Sequence, residues 1–291
     1  MKILITGVKG QLGNELVDII NSGSAEIGSI SEKVKNSELI GLDIDELDIT
    51  KLDEVRNIIG KYNPDVVINC AAATNVDGCE SNEDLAFKIN ALGPRNLAMV
   101  SEEVGAKFVQ VSTDYVFSGE GNTPLKEYES TAPTSVYGKT KLLGEKYVRE
   151  FSSKYFIVRT AWLYGYKGKN FVYTMMRLGK EKESINVVND QRGNPTNAND
   201  LAYHIIKLIE TEEYGIYHCT GKGECSWYDF AKKIMELNEL DCKVNPCTSE
   251  EYKTPAKRPA YSSLDNMMLR NTVGDEMREW DEALKGFVKN S

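Results

Sequence analysis

The chain opens on a short apolar run, Met1-Lys2-Ile3-Leu4-Ile5-Thr6, followed at once by Gly7-Val8-Lys9-Gly10-Gln11-Leu12-Gly13. Asn14 to Ile20 then carries apolar residues at helical spacing, Leu16, Val17, Ile19 and Ile20. Strand, glycine turn, helix is the opening unit of a sheet that binds a dinucleotide beyond its strand ends. Gly7 suits the tight turn, Gly10 the close approach of backbone amides to a pyrophosphate, and Gly13 the packing of helix on strand. The helix N-terminus supplies unpaired N–H groups and a partial positive charge. The spacing is G-x-x-G-x-x-G rather than G-x-G-x-x-G, so a ligand-free glycine loop is the competing reading.

The theme then repeats. Glu38 to Asp43 reads as a second strand, Leu52 to Gly60 as a helix ended by Asn63-Pro64, and Asp65 to Cys70 as a buried strand. Asn82 to Gly105 has helical periodicity, interrupted by Gly93-Pro94. Lys107 to Ser112 and Tyr155 to Arg159 are further strands around a helix from Pro133 to Glu150. Alternation of this kind predicts an α/β fold, a Rossmann-type doubly wound parallel sheet covered by helices. Residues 1–160 form the dinucleotide-binding domain. The chain returns to it around 196–216, and 161–291 is mainly a smaller C-terminal substrate-binding subdomain. In that last third, helices are expected at Asn170 to Glu183, Asn199 to Glu210 and Ser226 to Leu237, with strands at Ile185 to Val188 and Gly215 to Thr220. Asp190 to Thr196 reads as a polar loop, and the basic run at 253–259 as another.

Asp43 closes the second strand with a carboxylate. Placed there, it accepts hydrogen bonds from an adenine ribose and repels a 2′-phosphate, which favours NADH while leaving NADPH possible. It lies about thirty residues past the glycines, beyond the usual twenty or so, with the polar stretch Asn21 to Ser37 lengthening the connection. A strand-end turn residue is the alternative. Composition excludes other classes. The net charge of −9 argues against a nucleic-acid or membrane-surface binder. The six cysteines (Cys70, Cys79, Cys219, Cys225, Cys242, Cys247) form no C-x-x-C pair, and with His204 and His218 the only histidines, buried reduced thiols are expected rather than a zinc site. No apolar stretch is long enough for a bilayer, and no signal-like segment precedes the first strand, so a cytoplasmic home is the expectation.

The chemistry is carried by Tyr137 and Lys141, one helical turn apart, with Ser112-Thr113-Asp114 at a strand end upstream. An ammonium beside a phenol favours the phenolate and lowers the Tyr pKa from about 10. A Tyr so poised passes a proton to a sugar or alcohol oxygen. An exposed helix pair is the bland alternative.

Taken together, the glycine turn, Ser112-Thr113-Asp114-Tyr115-Val116-Phe117 and Tyr137-x-x-x-Lys141 resemble the extended short-chain dehydrogenase/reductases. The finer resemblance is to the dTDP-4-dehydrorhamnose reductases. It is carried by Asn69 to Asp77, Val136 to Leu142, Arg159 to Gly165, Asn189 to Thr196 and Arg258-Pro259. It spans nearly the whole chain, weakest after about residue 260. The resemblance implies that NADH or NADPH reduces a dTDP-linked 4-keto-6-deoxy-L-hexose. It makes Tyr137 the general acid, Lys141 the group that holds the nicotinamide ribose, and Thr113 a donor to the carbonyl oxygen. Gly10, Gln11 and Leu12 would cradle the pyrophosphate, and Asp48 and Ile49 would bound the adenosine half. Ala72, Ala73, Thr74 and Val111 would line the cofactor cleft. Thr74, Val76, Asp114 and Trp162 would meet the sugar, with Arg192 and Arg258 candidates for the diphosphate. A strand-end cap for Thr113 and a core aromatic for Trp162 are the alternatives.

Some relatives hold a divalent ion between subunits through several glutamates. Glu15 matches one position, but Asn199 stands at a second and no third is apparent, so a metal is doubtful and either a monomer or a homodimer is open. Glu15 then reads as a solvated first-turn residue. Other readings are a nucleotide-sugar epimerase or dehydratase and a non-catalytic regulatory subunit, as a relative serves for methionine adenosyltransferase. Asp114 is followed by Tyr115 and not by a second acid, which argues against the dehydratase.

Overall fold

The computed structural model describes residues 1–291. Six strands, β1 (Lys2–Thr6), β2 (Glu38–Leu42), β3 (Val66–Asn69), β4 (Lys107–Thr113), β5 (Tyr155–Thr160) and β6 (Gly215–His218), form one sheet in the order β2-β1-β3-β4-β5-β6. Every pairing is parallel. The near-continuous apolar runs of β1 and β3 follow from burial on both faces. Ile3 and Ile5 point into a core shared with α1 (Gln11–Ser22), while Leu4 points into a second core with α2 (Leu52–Tyr62). The second core also takes Leu97 and Val100 of α3 (Gly93–Val104) and Val148 of α4 (Val136–Phe151).

A third core makes the smaller lobe. It joins Val172 and Met175 of α5 (Phe171–Glu181) to Ile185 and Val187 of the strand Ser184–Val188. Between that lobe's first strand and its last helices, α6 (Ala198–Ile209) returns to pack beside α1 and leads into β6. Phe230 and Ile234 of α7 (Trp227–Leu237) and Leu284 and Phe287 of α8 (Trp280–Asn290) complete the lobe core.

Several local expectations change. Gly93-Pro94 does not interrupt the helix. A wide turn at Lys88–Leu92 carries the chain from Glu83–Phe87 into α3, and such a turn tolerates a proline that has no N–H to give. The polar stretch 21–37 does lengthen the connection, and it has structure of its own. It holds the short hairpin Ser24–Ala25 with Gly28–Ser29 and a helical turn Glu32–Lys35, with Ala25, Ile30 and Val34 buried in the core of α1. The strand Lys243–Cys247, which escapes sequence reading because it alternates weakly and contains Pro246, pairs in parallel with Ser184–Val188. Helix α8 escapes it as well, since its apolar positions acquire meaning only once Tyr164 and Phe230 are placed against them.

The strand ends that face the cleft are tied by buried side chains. Thr6 Oγ1 donates to Asn69 Oδ1 (2.6 Å), and Asn69 Nδ2 donates to Gln110 Oε1 (2.8 Å). This ladder pins β1, β3 and β4 where their chains turn toward the site. The glycine turn is equally tight. Gly7 has φ +73°, and a Cβ on Gly13 would sit 2.3 Å from the Gly7 carbonyl oxygen. Gly13→Val forces α1 away from β1, and such overpacking costs about 1–3 kcal/mol. Thermal unfolding is expected to show a lower Tm for this variant, and an unchanged Tm would contradict the packing described.

Candidate active site

A cavity of about 570 Å³ opens beyond the carboxyl ends of β1, β3, β4 and β5. The strand order reverses between β1 and β3, where ligands of such sheets sit. One wall is the glycine turn and the start of α1, where Gln11, Leu12 and Gly13 line the space. The first amides of a helix have no partner inside it, so these N–H groups are free to meet an anion. The opposite wall is Val111 to Tyr115 with Tyr137 and Lys141. A second cavity of about 330 Å³ shares Gly7, Gly10, Cys70 and Ala72 with the first and is bounded by Lys9, Asp43, Asp48 and Ile49. The two are one elongated trough across the glycine turn, shaped for a dinucleotide.

The chemistry-bearing side chains are all buried: Thr113 is 5%, Tyr137 9% and Lys141 4% exposed. Ser135 caps α4 by accepting the Gly138 N–H at 3.1 Å, which sets the helix start and brings Tyr137 and Lys141 inward. Gly138 has no room for a side chain, since its Cβ would lie 2.2 Å from the Tyr115 carbonyl oxygen. The Tyr115 ring packs edge-on against Tyr137, centroids 5.4 Å apart.

Electrostatics at the site differ from the sequence reading. Burial pushes the Tyr137 phenol above its ordinary value, and the neighbouring Thr113 hydroxyl offsets part of that rise. Lys141 is not aimed at Tyr137. Its ammonium donates to the Val111 carbonyl at 2.7 Å, and burial lowers its pKa to about 8 against the opposing pull of Glu145. The helical spacing places both groups on one face, but the direction of a long flexible side chain follows its nearest acceptor. Thr113 Oγ1 donates to Asp114 Oδ1 at 2.8 Å and accepts the Tyr115 N–H. Asp114 Oδ2 has no partner, and burial raises the Asp114 carboxyl to about 6.

Trp162 reaches the cleft with a left-handed backbone, φ +46°, a conformation that costs a non-glycine residue about 1–3 kcal/mol and recurs at functional sites. Its indole stacks on Trp227 with centroids 3.6 Å apart and an 8° interplanar angle. A Cβ on Gly193 would meet the Trp162 ring at 2.7 Å, so the Asp190–Thr196 segment backs this tryptophan. Arg192 therefore faces away. It is 46% exposed and paired with Glu224 at 3.0 Å, outside the cleft. Arg258 borders an adjoining, mostly apolar cavity of about 420 Å³, where it donates to Asp77 Oδ2 (2.9 Å) and to the Tyr115 hydroxyl (3.2 Å). Ala73 does not line the cleft; its N–H and carbonyl are both taken by the Asn90 side chain. Thr74 and Val76 line it from the β3 side.

Sequence reading missed Trp227 and Asn170. Asn170 caps α5 and donates to Gln11 Oε1 (3.2 Å) and the Gly165 carbonyl (2.8 Å), joining the smaller lobe to the glycine turn. An Asn at a helix start is a visible capping signal, but its partner 159 residues away is not. Glu15 is 4% exposed rather than solvated. Its carboxylate accepts from Asn199 Nδ2 (3.0 Å) and the Tyr166 N–H (3.3 Å), and burial raises its pKa. Two donors already face it, so the residues here do not fit a divalent ion.

An acid whose folded pKa is raised costs stability above that pKa and regains it as pH falls toward the unfolded value. For Asp114, with about 6 against 3.8, that cost at neutral pH is on the order of 3 kcal/mol. Asp114→Asn is expected to raise the Tm at pH 7.5, with the gain shrinking by pH 4. A Tm lowered equally at both pH values would contradict this.

Known proteins share this sequence and fold. The model of the RmlD substrate binding domain matches residues 1–291. The dTDP-4-dehydrorhamnose reductase of Aggregatibacter actinomycetemcomitans is 39% identical, over 98% of this chain and 98% of that protein. The solved dTDP-4-dehydrorhamnose reductase of Clostridium acetobutylicum is 51% identical, with a TM-score of 0.94 over 100% of this chain and 99% of that one. That of Bacillus anthracis str. Ames, solved in complex with NADP, is 43% identical, with a TM-score of 0.94 over the whole of both chains. No helix is long and apolar enough to cross a membrane. With a family model matched from end to end and the same fold in close relatives, the chain belongs to the dTDP-4-dehydrorhamnose reductase family.

Proposed function

We propose that the chain reduces dTDP-4-dehydro-L-rhamnose to dTDP-L-rhamnose. The observation that carries this reading is the convergence of Thr113, Tyr137 and Lys141 on the wall of the cleft that faces the glycine turn. A reduced nicotinamide held between the glycine turn and Lys141 would supply a hydride to C4 of the sugar. As it arrives, the C=O pair moves onto oxygen, and the oxygen takes the Tyr137 proton, leaving a phenolate. Thr113 donates to the same developing charge, and two positioned donors in a dry site are worth several kcal/mol. Lys141 holds the nicotinamide ribose and, as an ammonium, favours the phenolate. Asp114 accepts from a sugar hydroxyl through its free oxygen, and Trp162 on Trp227 gives the sugar ring a flat apolar wall. Arg258, at the junction with the adjoining cavity, is the diphosphate ligand; Arg192 is not.

The cofactor preference follows from the far end of the trough. Asp43 accepts the backbone N–H groups of Lys9 (3.0 Å) and Ile44 (2.9 Å), so its charge is fixed where an adenosine ribose lies. It favours NADH. The Lys9 ammonium, on the same rim and paired with the exposed Asp45 at 2.6 Å, can turn to a 2′-phosphate and admits NADPH. Asp48 and Ile49 would bound the adenosine, and Ile44, 64% exposed beside them, would be the residue its adenine covers.

Turnover is read as NADH or NADPH oxidation at the nicotinamide absorbance with the 4-keto sugar nucleotide made in situ. Tyr137→Phe is expected to lose about 100-fold or more in kcat while still binding cofactor, and Thr113→Val about 10- to 100-fold. Wild-type protein that binds cofactor but oxidises none would overturn the reductase reading in favour of the regulatory one. For the cofactor, Asp43→Ala is expected to move the NADPH/NADH ratio of kcat/KM up, and Lys9→Ala to move it down, each by about five- to tenfold. Ratios unmoved by both substitutions would contradict the assignment.

A further inference from the structure

Between α4 and the ends of β4 and β5 lies a buried ionic web that the reaction as described does not use. Glu145 sits one helical turn beyond Lys141 and is 2% exposed. Arg159, at the end of β5 and 3% exposed, grips it with two hydrogen bonds, Nε to Oε1 at 2.9 Å and Nη2 to Oε2 at 2.7 Å. Ser112 Oγ donates to the same Oε1 at 2.5 Å. Arg159 continues to the Glu127 carbonyl and the His218 ring, each at 3.4 Å. None of Glu145, Arg159, Glu127 and His218 lines the cleft.

The chain positions of the web's members give it a job. Ser112 immediately precedes Thr113 on β4. Glu145 is on the helix that carries Tyr137 and Lys141. Arg159 precedes the turn of β5 that leads to Trp162. One carboxylate thus ties the strand bearing the carbonyl donor to the helix bearing the proton donor. A bidentate pair fixes angle as well as distance, which a single bond or an apolar contact does not. A buried pair of this kind is a poor source of net stability, because desolvation offsets most of the attraction, so its presence calls for another reason.

We propose that Glu145, held by Arg159 and Ser112, is a positioning residue that keeps Lys141 charged and keeps its helix in register with Thr113. The charged and titratable groups bearing on the Lys141 ammonium are few. Glu145 comes from its own helix, and Cys70 comes from the end of β3, with its thiol pushed up to about 12 by burial and therefore neutral. From β4 comes only the Val111 carbonyl. Glu145, one helical turn away, is then the carboxylate that opposes the desolvation of the ammonium, its pull reduced by the Arg159 guanidinium that shares it. The proposal rests on the reductase reading for the roles of Lys141 and Thr113.

The test compares Glu145→Gln, which keeps shape and removes charge, with the double variant Glu145→Gln/Arg159→Gln, which avoids stranding a buried guanidinium. Two quantities are followed from pH 6 to 10 in the full chain: NADPH binding by nicotinamide fluorescence, and kcat with the 4-keto sugar nucleotide. In the wild type both decline as Lys141 loses its proton, with a limb near pH 8. In Glu145→Gln that limb moves toward acid by about one unit, so that binding at pH 8 falls several-fold while binding at pH 6 holds, and in the double variant, which removes the guanidinium as well, it moves the same way by less. In both, kcat falls further than binding does. Folded variants with lower Tm but an unmoved limb would make the web purely structural and overturn the proposal. So would failure of both variants to fold while Ser112→Ala, which removes only the Glu145–β4 tie, leaves kcat unchanged. A wild type with the binding limb but no turnover would sink the reductase reading and leave the charge assignment of Lys141 standing.

Discussion

The burial of the Lys141 ammonium is the constraint around which the site is organised. A cation taken out of water needs an acceptor and a counter-charge, and the fold supplies one of each: the Val111 carbonyl at 2.7 Å and the Glu145 carboxylate. Even so, its pKa falls from 10.5 to about 8. A lysine depressed in this way costs stability below the folded pKa and regains it as pH rises from there toward the unfolded value. At neutral pH that cost is on the order of 3 kcal/mol. Asp114 adds a cost of the same sign at the same pH, because its raised carboxyl is ionised there. The protein thus gives up stability where it does chemistry. The buried ladder Thr6–Asn69–Gln110 holds the strand ends that bear this cost, and Gln110 Nε2 donates to the same Val111 carbonyl at 2.7 Å. The ladder that aligns the sheet and the Lys141 ammonium share one acceptor.

The second organising fact is that no single lobe makes the site. The glycine turn and the Tyr137 helix belong to the sheet with its covering helices. Trp162 lies just past β5, and its stacking partner Trp227 starts α7 in the smaller lobe. Gly193 leaves room for the Trp162 ring, and Asn170 reaches from α5 to Gln11. Arg258, tied to Asp77 and Tyr115, brings the loop after the last strand back across the cleft. The strained backbone of Trp162 is held by packing on both sides of its ring, which is how an otherwise unfavourable conformation persists.

Much of this was legible in the sequence because it is local. The glycine turn, the alternation of strands and helices and the Tyr137–Lys141 spacing each depend on neighbours within one or two turns of chain. Their co-location follows from the rule that such sheets present their strand ends to ligands. What was not legible depends on partners far apart in sequence. Glu15 looks like a surface residue until Asn199 and Tyr166 close over it. Arg192 sits in a segment with a family-like pattern, yet its side chain goes to Glu224 because the opposite face of that segment is filled by Trp162. The aim of Lys141 at a main-chain carbonyl, and not at Tyr137, is a matter of side-chain direction that spacing does not encode. The strand Lys243–Cys247 and helix α8 are visible only through the lobe core they complete.

The most direct test of hydride delivery across this cleft is isotopic. Protein is incubated with the dTDP-linked 4-keto sugar and a reduced nicotinamide deuterated at C4 on the transferred face, and the product is read by NMR. One deuterium at C4 of the sugar, in the rhamnose configuration, and its absence with Tyr137→Phe, is the result expected from the Thr113–Tyr137–Lys141 arrangement. Deuterium at another carbon, an unlabelled product, or full transfer by Tyr137→Phe would show that these groups do not carry the reaction.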